Sequence, residues 1–438
     1  MISGDTIAAI ATAPGRGGVA VVRVSGSESF GMAERLTGIR DQGSGIRVGR
    51  IANVDEGIIL FFKSPHSYTG EDVVEFQCHG GTVTPRRVLE ACLAVGARLA
   101  HRGEFTERAF LNGKLDYAQA ESVLDLIDAK TARAADAALE GLSGRRRSEF
   151  RALYEQALDL STRLEHALDI DEDELPVGFA DELRVASCEL RVKIEESIRK
   201  ASEGKLLRTG ALVVLAGPPN AGKSSLMNAL LEENRAIVSE TPGTTRDSIE
   251  AWIDLDGWPI RLVDTAGLRE AKDEIEGEGV RRAEALLSKA DVILWLGSAL
   301  PPPPFLTSPR LSSLLLLHPK CDLGKGAGLN VSAKTGEGLD ELKRTIVAKL
   351  EARVAASDSG EEPEGDVAAY QEALALLSPL FPVPCSLFPV PSSLFPSSDL
   401  VLLANAVRAA AERLGAALGA TYSSDLLDKL FSRFCVGK

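Results

Sequence analysis

The sequence has few cysteines, and their spacing gives no pattern that pairs them. Its 438 residues include six cysteines and five histidines, with no CxxC pair and no metal-like Cys/His spacing. The cysteines are Cys78, Cys92, Cys188, Cys321, Cys385 and Cys435. This pattern argues against a disulfide framework and a zinc site. We expect reduced thiols in a cytoplasmic protein.

The sequence also lacks an excess of positive charge and any long apolar run. It has 49 basic and 63 acidic residues, a net charge of -14, which argues against broad affinity for nucleic acid or anionic lipid. A nucleic-acid partner needs a local basic patch. No run reaches the roughly 18 apolar residues of a membrane span, and the start lacks a basic segment before an apolar core. We expect a soluble protein that is neither exported nor bound to a membrane.

The pattern along the chain predicts several packed units. Residues 1–114 mix short apolar runs with glycine-rich turns, which indicates a compact α/β domain. Helical periodicity follows over 115–206, and one apolar stripe is expected from Phe150, Leu153, Ala157, Leu160, Leu164 and Leu168. A central α/β domain covers 207–350, an exposed acidic linker 351–366, and a second helical part 367–438. The central domain is therefore expected to be inserted into a helical one.

Two stretches are rich in proline, serine and leucine. They cover about 297–319 and 377–398, and the second contains the near-repeat "CSLFPVP" and "SSLFPSS". Proline at this density does not continue a helix. We expect a loop or a disordered insertion to interrupt the C-terminal helices at the second stretch.

A phosphate-binding loop lies near the middle of the chain. Gly217 to Ser224, "GPPNAGKS", fits GxxxxGK[ST], follows the apolar run "ALVVLA" and precedes the helical "SSLMNALL". Backbone N–H groups of such a loop bind phosphate oxygens. Lys223 neutralises the β- and γ-phosphates, and the Ser224 hydroxyl is a magnesium ligand.

Further motifs follow in the order of the GTPase family. "TPGTTRD" (241–247) supplies a threonine for the γ-phosphate, and "VDTAG" (263–267) places Asp264 at a strand end near magnesium. Gly267 offers an N–H to the γ-phosphate, and "VSAK" (331–334) approaches the base. This order favours a guanine nucleotide.

The base-reading and water-orienting positions depart from common GTPases. In place of NKxD the chain has "PKCD", where Asp322 still accepts bonds from the guanine N1–H and N2 groups. Pro319 lacks the amide and the N–H of asparagine, so nucleotide affinity is expected to fall by roughly 1 to 2 kcal/mol. Leu268 stands where Ras-like enzymes have the glutamine that orients water, so other groups must do so.

Beyond these motifs, the chain resembles the MnmE (TrmE) family of tRNA modification GTPases. The similar stretches are "DTIAAIATAPGRGGVAVVRVSG", "YTGEDVVEFQCHGG", "RGEFTERAFLNGKLDYAQAE" and the terminal "FSRFCVGK". The resemblance implies three parts. They are an N-terminal α/β domain that binds folate and dimerises, a discontinuous helical domain, and an inserted Ras-like P-loop GTPase domain.

The same resemblance implies the activity and the partners. A homodimer acts with an MnmG-like, FAD-containing partner in a heterotetramer. Together they add a carboxymethylaminomethyl or aminomethyl group at C5 of the wobble uridine, position 34, of tRNA. The carbon comes from a tetrahydrofolate derivative, in the 5,10-methylene or 5-formyl form. Mg²⁺ and K⁺ are the implied ions.

Site residues carry over by position. The implied folate ligands are Arg23, Glu75, Lys114 and Lys438, and the implied catalytic residues are Glu276 and Cys435. Ser224 and Thr245 hold Mg²⁺, while Asn220, Ser239, Thr241 and Thr244 hold K⁺. The expected GTP-binding residues are Asn220, Ala221, Gly222, Lys223, Ser224, Ser225, Ser239, Glu240, Thr241, Pro242, Gly243, Thr244, Thr245, Asp264, Thr265, Ala266, Gly267, Lys320, Asp322, Ser332, Ala333 and Lys334.

Other interpretations remain open from the sequence. A ribosome-assembly GTPase shares the central domain but needs an RNA-binding appendage such as a KH domain, and no GXXG segment follows the central domain. A folate-binding scaffold with an impaired GTPase is a third class, favoured by Pro319. The basic run Arg145–Arg147 is either a contact for tRNA phosphates or a solvated helix face.

Overall fold

The structure is a computed structural model that describes residues 5–40, 44–169, 178–233, 250–265, 285–297, 313–356, 366–378, 399–418 and 431–437. The chain divides into two compact units. The first consists of Met1–Ile127, Gly141–Arg145 and Thr421–Lys438, and the second of Asp128–Glu140 and Arg146–Ala420.

The elements of the described residues are numbered in chain order. The strands are β1 (Ile7–Ile10), β2 (Val19–Ser25), β3 (Gly45–Ile51), β4 (Asp55–Phe62), β5 (Val73–His79), β6 (Arg98–Leu99), β7 (Ala211–Ala216), β8 (Glu250–Leu255), β9 (Trp258–Asp264), β10 (Val292–Leu296), β11 (Leu314–Pro319) and β12 (Leu329–Val331). The helices are α1 (Ser29–Thr37), α2 (Thr84–Ala94), α3 (Glu104–Leu111), α4 (Tyr117–Asp128), α5 (Ala132–Leu142), α6 (Arg145–Asp169), α7 (Phe179–Thr209), α8 (Lys223–Glu233), α9 (Leu339–Ala355), α10 (Asp366–Leu377) and α11 (Asp399–Leu418).

The first unit is built on a six-stranded sheet in the order β3-β4-β5-β2-β1-β6. Its neighbours are antiparallel except β1 and β6, which are parallel. Because side chains alternate between the faces of a strand, Val22 and Val24 of β2 join the core formed with α1 and α2. Arg23 therefore points to the opposite face, where Glu75 of β5 lies directly across from it.

Helix α3 belongs to that opposite face and is anchored by buried charges. The Arg108 side chain is only 2% exposed and pairs with Asp5 at 2.8 Å, Glu104 at 3.0 Å and Glu71 at 3.2 Å. Arg98 also pairs with Asp5 and Glu104. Hydrogen bonds from Arg98 hold the pKa of Asp5 below its ordinary value. Such a network fixes a helix because removing one partner leaves a buried charge without compensation.

The segment 431–437 packs in the first unit against residues that are about 300 positions earlier in the sequence. Phe431 and Phe434 are buried in a core with Ala120, Val123 and Leu124 of α4. The Gly103 N–H donates to the Cys435 carbonyl oxygen at 3.5 Å, and Arg102 forms an antiparallel bridge with Val436. The C-terminal segment is thus held next to the N-terminus of α3.

The helices of the second unit pack around a leucine- and alanine-rich core contributed by α6, α7, α10 and α11. The predicted stripe on α6 is confirmed at its first five positions, which are all buried. Leu168 is 41% exposed, so its prediction is wrong, and Ala167 is buried in its place. A period of 3.6 residues makes both 167 and 168 candidates after Leu164, and the structure buries the first.

The second unit also contains a six-stranded sheet in the order β12-β11-β10-β7-β9-β8. All neighbours are parallel except β8 and β9. β7 is buried along its whole length, as a central strand covered on both faces must be. The predicted strand, loop and helix around the phosphate motif are present, since β7 ends at Ala216 and α8 begins at Lys223.

Two regions refine the sequence expectations. Helix α9 continues to Ala355, into the expected linker 351–366, of which 357–365 lie outside the described residues. Strand β11, Leu314–Pro319, comes from the first stretch rich in proline and leucine and lies between β10 and β12. The insertion expected at 377–398 falls on residues that are mostly outside the described part of the chain.

One cysteine departs from the expectation of reduced thiols. Cys188 on α7 is buried and disulfide-bonded, whereas Cys78, Cys92, Cys321 and Cys435 are free. Burial raises the pKa of the Cys92 thiol to about 12, which makes that sulfur unreactive. Disulfide pairing depends on which side chains the fold brings together, and spacing along the sequence does not reveal this.

Candidate functional site

The lysine of the phosphate loop donates hydrogen bonds to the backbone of the same loop. Lys223 is buried, and its Nζ donates to the carbonyl oxygens of Gly217 at 3.1 Å and Pro218 at 2.9 Å. Asn220 lies at the loop tip with a φ of +60°. Ala221 and Gly222 complete the loop, and Ser225 lies in the first turn of α8. The ammonium group is therefore held inside the turn where phosphate oxygens bind.

Two oxygen-bearing side chains meet at the place where magnesium is expected. Ser224 Oγ donates to Asp264 Oδ2 at 2.7 Å, which brings a hydroxyl and a carboxylate from α8 and β9 to one point. Thr265 is fixed beside them, because its Oγ1 donates to the Leu215 carbonyl oxygen at 2.9 Å. Hydroxyl and carboxylate oxygens fit Mg²⁺, which prefers oxygen ligands and shares its shell with the phosphates. These side chains would hold the ion that neutralises the charge on the phosphates.

The base-reading carboxylate is oriented by a buried serine. Ser332, in the turn after β12, is fully buried and donates to Asp322 Oδ1 at 2.7 Å. Ala333 and Lys334 continue this turn. Lys320 Nζ donates to the Asn220 carbonyl oxygen at 3.2 Å, so the base-reading motif contacts the phosphate loop. The structure therefore brings three motifs separated in sequence into contact.

Pro319 ends β11 one residue before Lys320 and pairs with Val331 across the sheet. We expect Pro319→Asn to tighten GTP binding by about 1 to 2 kcal/mol, roughly 5- to 30-fold, because it restores an N–H and a side-chain amide. Calorimetric titration with GDP and GTP measures this change. Pro319→Ala, which restores only the N–H, separates the two contributions. Equal affinity in all three proteins would show that position 319 makes no contact with the nucleotide.

Several expected site residues lie outside the described part of the chain. They are Ser239, Glu240, Thr241, Pro242, Gly243, Thr244, Thr245, Ala266, Gly267, Glu276 and Lys438. The expected water-orienting position, Leu268, is also among the residues that the structure does not describe.

The expected folate ligands of the first unit divide into a pair and a separate lysine. Arg23 Nε donates to Glu75 Oε1 at 2.7 Å, and each side chain is 16% exposed. Lys114 follows α3, is exposed, and donates from Nζ to the Pro65 carbonyl oxygen at 3.1 Å. The chain between β4 and β5 reaches both places, because Tyr68 lies against Arg23 and Gly70 packs close to Lys114.

Two residues beside Arg23 were not identified from the sequence. The guanidinium lies 5.3 Å from the ring centroid of Tyr68 and 5.6 Å from that of Phe105. Both rings belong to stretches that the resemblance covers, "YTGEDVVEFQ" and "RGEFTERAF". The residue types of Tyr68 and Phe105 did not by themselves indicate a role at the site, since an aromatic residue in such a stretch is usually part of the core.

Cys435 is exposed, while its neighbour Phe434 is buried and anchors the segment. In the described part of the chain no group of three or more His, Cys, Asp or Glu residues could hold a metal ion. The basic run Arg145–Arg147 is exposed at the start of α6. None of the helices in the described ranges has both the length and the apolar character of a membrane span.

The parallel sheet, the loop that holds Lys223 and the Ser224–Asp264 pair define the class of protein, a P-loop GTP hydrolase. Models of two domain families match the chain: "GTP-binding protein TrmE N-terminus" over residues 6–114 and "MnmE helical domain" over residues 117–435. The second match covers more than half of the chain. The chain belongs to the MnmE family of tRNA modification GTPases.

Individual relatives agree with this membership over their whole length. The tRNA modification GTPase MnmE of Azoarcus sp. (strain BH72) is 40% identical over 458 residues, which cover 99% of this chain and 98% of that protein. That of Symbiobacterium thermophilum is 40% identical over 470 residues, 99% of each chain. Among solved structures, the G domain of the T. maritima FeoB iron transporter is 28% identical over 32% of this chain and 98% of that one, with a TM-score of 0.24.

Proposed function

We propose that this chain is a potassium-activated GTPase that modifies tRNA together with an MnmG-like, FAD-containing partner. The pair of proteins adds a carboxymethylaminomethyl or aminomethyl group at C5 of uridine 34, and a 5,10-methylene or 5-formyl tetrahydrofolate supplies the carbon. This chain acts as a homodimer within a heterotetramer in the cytoplasm. The similarity to proteins named tRNA modification GTPases, which extends over nearly the full length of each chain, supports the proposal.

The observation that carries the folate part is the position of the C-terminal segment. Ala9 of β1 lies directly across from Arg23. A Cβ atom at Gly437 would meet the carbonyl oxygen of Ile10, the next residue of β1. The segment with Cys435 therefore runs beside the strand that neighbours the Arg23–Glu75 pair. This proximity supports one reaction centre that uses both the folate ligands and Cys435, with Lys438 directly after Gly437 in sequence.

The ion pair suggests how the folate ligands divide their roles. Because Arg23 and Glu75 touch, they act on the same end of the ligand. Glu75 accepts hydrogen bonds from the donor edge of the pterin, and Arg23 aligns the carboxylate and offers its remaining N–H groups to the neighbouring acceptor. Lys114 is exposed and suits a carboxylate of the glutamate tail.

The GTPase part of the proposal depends on groups around the phosphate loop. Asn220, Ser239, Thr241 and Thr244 would hold K⁺, and Thr245 would join Ser224 on Mg²⁺. A bound K⁺ offsets the charge that develops between the β- and γ-phosphates, a role for which other GTPases use an arginine. Glu276 would orient the attacking water, because Leu268 offers no polar atom.

A single assay with two readouts tests the proposal. The protein, its flavoprotein partner, tRNA and GTP are combined in potassium or in sodium buffer with 5,10-methylenetetrahydrofolate labelled in the methylene carbon. Ammonium or glycine is added to supply the nitrogen of the aminomethyl or carboxymethylaminomethyl group. We expect release of phosphate and label on C5 of uridine 34 in potassium, with hydrolysis reduced by about 10³-fold or more in sodium. Cys435→Ser is expected to abolish the label while phosphate release stays normal.

The readouts separate the parts of the proposal. Equal hydrolysis in both buffers would refute activation by potassium alone. Hydrolysis without label in the wild-type assay would refute the folate-dependent modification and leave the GTPase assignment intact.

A further inference from the structure

The Arg23 guanidinium lies close to two aromatic rings, and the proposed folate chemistry does not itself explain them. Its guanidinium carbon is 5.3 Å from the centroid of the Tyr68 ring and 5.6 Å from that of Phe105. A long, flexible arginine has many rotamers, and ordering it costs conformational entropy. Two rings near the same group remove that freedom before any ligand arrives.

The Tyr68 ring is itself fixed. Its hydroxyl is 2.8 Å from Thr106 Oγ1, and Thr106 is fully buried on α3. Burial raises the pKa of the Tyr68 phenol, so the hydroxyl stays protonated. The next residue, Thr69, is tied to Ser25 of β2 through a hydroxyl contact of 2.8 Å. The ring therefore connects the chain before β5 to both α3 and the sheet.

The second ring comes from the same anchored helix. Phe105 is fully buried in a small core with Ile7, Ala9 and Ala100. Its helix, α3, is anchored by Arg108, whose ion pairs reach both Asp5 and Glu71. Both rings therefore belong to segments that several other contacts hold in place.

The Arg23–Glu75 contact leaves polar atoms available. It uses Nε of the arginine and Oε1 of the carboxylate. Within the described residues, the two Nη groups of Arg23 and Oε2 of Glu75 have no hydrogen-bond partner from the protein. The pair therefore retains donor and acceptor atoms for a ligand.

We propose that Tyr68 is a positioning residue for the pterin: with Phe105 it holds the Arg23 guanidinium so that Arg23 and Glu75 present one fixed hydrogen-bonding edge. This inference rests on the proposed folate function and adds a residue that determines how tightly a reduced pterin binds. The Tyr68 ring supplies most of the effect on pterin affinity, and the hydrogen bond to Thr106 sets the orientation of that ring.

Binding of 5-formyltetrahydrofolate to the full-length protein, measured by calorimetry, tests this role. Tyr68→Leu removes the ring and is expected to raise the Kd about tenfold. Tyr68→Phe keeps the ring and loses only the Thr106 contact, so it is expected to restore the Kd to within about threefold of wild type. GTP hydrolysis and the unfolding temperature are measured on each variant to confirm folding.

Phe30→Leu is the matched control. Phe30 lies 5.3 Å from Lys63 Nζ in the same unit and packs against Phe61, so its loss also removes a ring near a cation. The Kd of this variant is expected to stay at the wild-type value. An equal rise in Kd for Phe30→Leu and Tyr68→Leu would overturn the positioning role, because the effect would then be general destabilisation.

Failure of the inference and failure of the folate assignment give different results. If the wild-type protein does not bind 5-formyltetrahydrofolate, the folate assignment is wrong and the role of Tyr68 is refuted with it. If wild type binds and Arg23→Ala weakens binding, but Tyr68→Leu binds as wild type does, only the positioning role is refuted.

Discussion

Asp322→Asn is expected to lower the affinity for GTP by roughly 10²- to 10⁴-fold, because it removes two charge-assisted hydrogen bonds to guanine of about 1.5 to 3 kcal/mol each. An asparagine side chain offers one carbonyl oxygen and one amino group in place of two acceptors. Its amino group would face a donor of guanine. The same amino group suits the C2 carbonyl of xanthine, so the variant is expected to prefer XTP.

The structure gives a reason to expect a large loss of GTP affinity from a substitution at Asp322 alone. Ser332 is fully buried and donates to Asp322 Oδ1 at 2.7 Å, which fixes the plane of the carboxylate before the nucleotide binds. Because Pro319 supplies no amide to the base, no side chain at that position shares the task. We therefore expect base selection in this chain to depend on Asp322 more than in a GTPase with an intact NKxD motif.

Displacement of a fluorescent guanine nucleotide by GTP, XTP and ATP measures the change in Asp322→Asn. Asp340→Asn is the control, since Asp340 lies on the exposed first turn of α9 and the substitution removes the same charge. Unchanged preference for GTP over XTP in Asp322→Asn would contradict the assignment of Asp322 to the base.

The local structure around the phosphate motif could be predicted from the sequence because the motif is contiguous. Gly217 to Ser224 determine a turn between a buried strand and a helix, and the structure has β7 and α8 at those places. Asp264 and Asp322 follow apolar runs, and parallel strands bring their carboxyl ends to one edge of the sheet. The contact of Ser224 with Asp264 follows from that topology.

The sequence did not reveal the contacts that depend on long-range pairing. Arg23 and Glu75 meet because β2 and β5 are paired in one particular register, and a shift of one residue would place Glu75 on the other face. The placement of the Tyr68 and Phe105 rings near Arg23 depends, in addition, on the position of helix α3. Strand β11 was not predicted for another reason: prolines around it favour a loop, while pairing with β10 and β12 overrides that preference.

Gly103→Ala is expected to displace the C-terminal segment and to reduce tRNA modification by about tenfold or more while GTP hydrolysis is retained. Gly103 precedes α3 with a φ of +69°, and an added Cβ atom would lie 2.5 Å from the carbonyl oxygen of Phe431 and 3.0 Å from its Cα atom. Both are backbone atoms, so the segment 431–437 must move as a whole. The N–H bond from Gly103 to Cys435 would be lost with it.

Gly113→Ala is a close control for this change. Gly113 follows the same helix with a φ of +70°, and an added Cβ atom would meet nothing within 4 Å. Both variants carry the same backbone strain of about 1 to 2 kcal/mol, so the difference between them reports the collision alone. Hydrogen exchange should be faster over 431–437 in Gly103→Ala and unchanged in Gly113→Ala. Equal hydrogen-exchange protection of residues 431–437 and equal tRNA modification in the two variants would mean that the contact at Gly103 does not position Cys435.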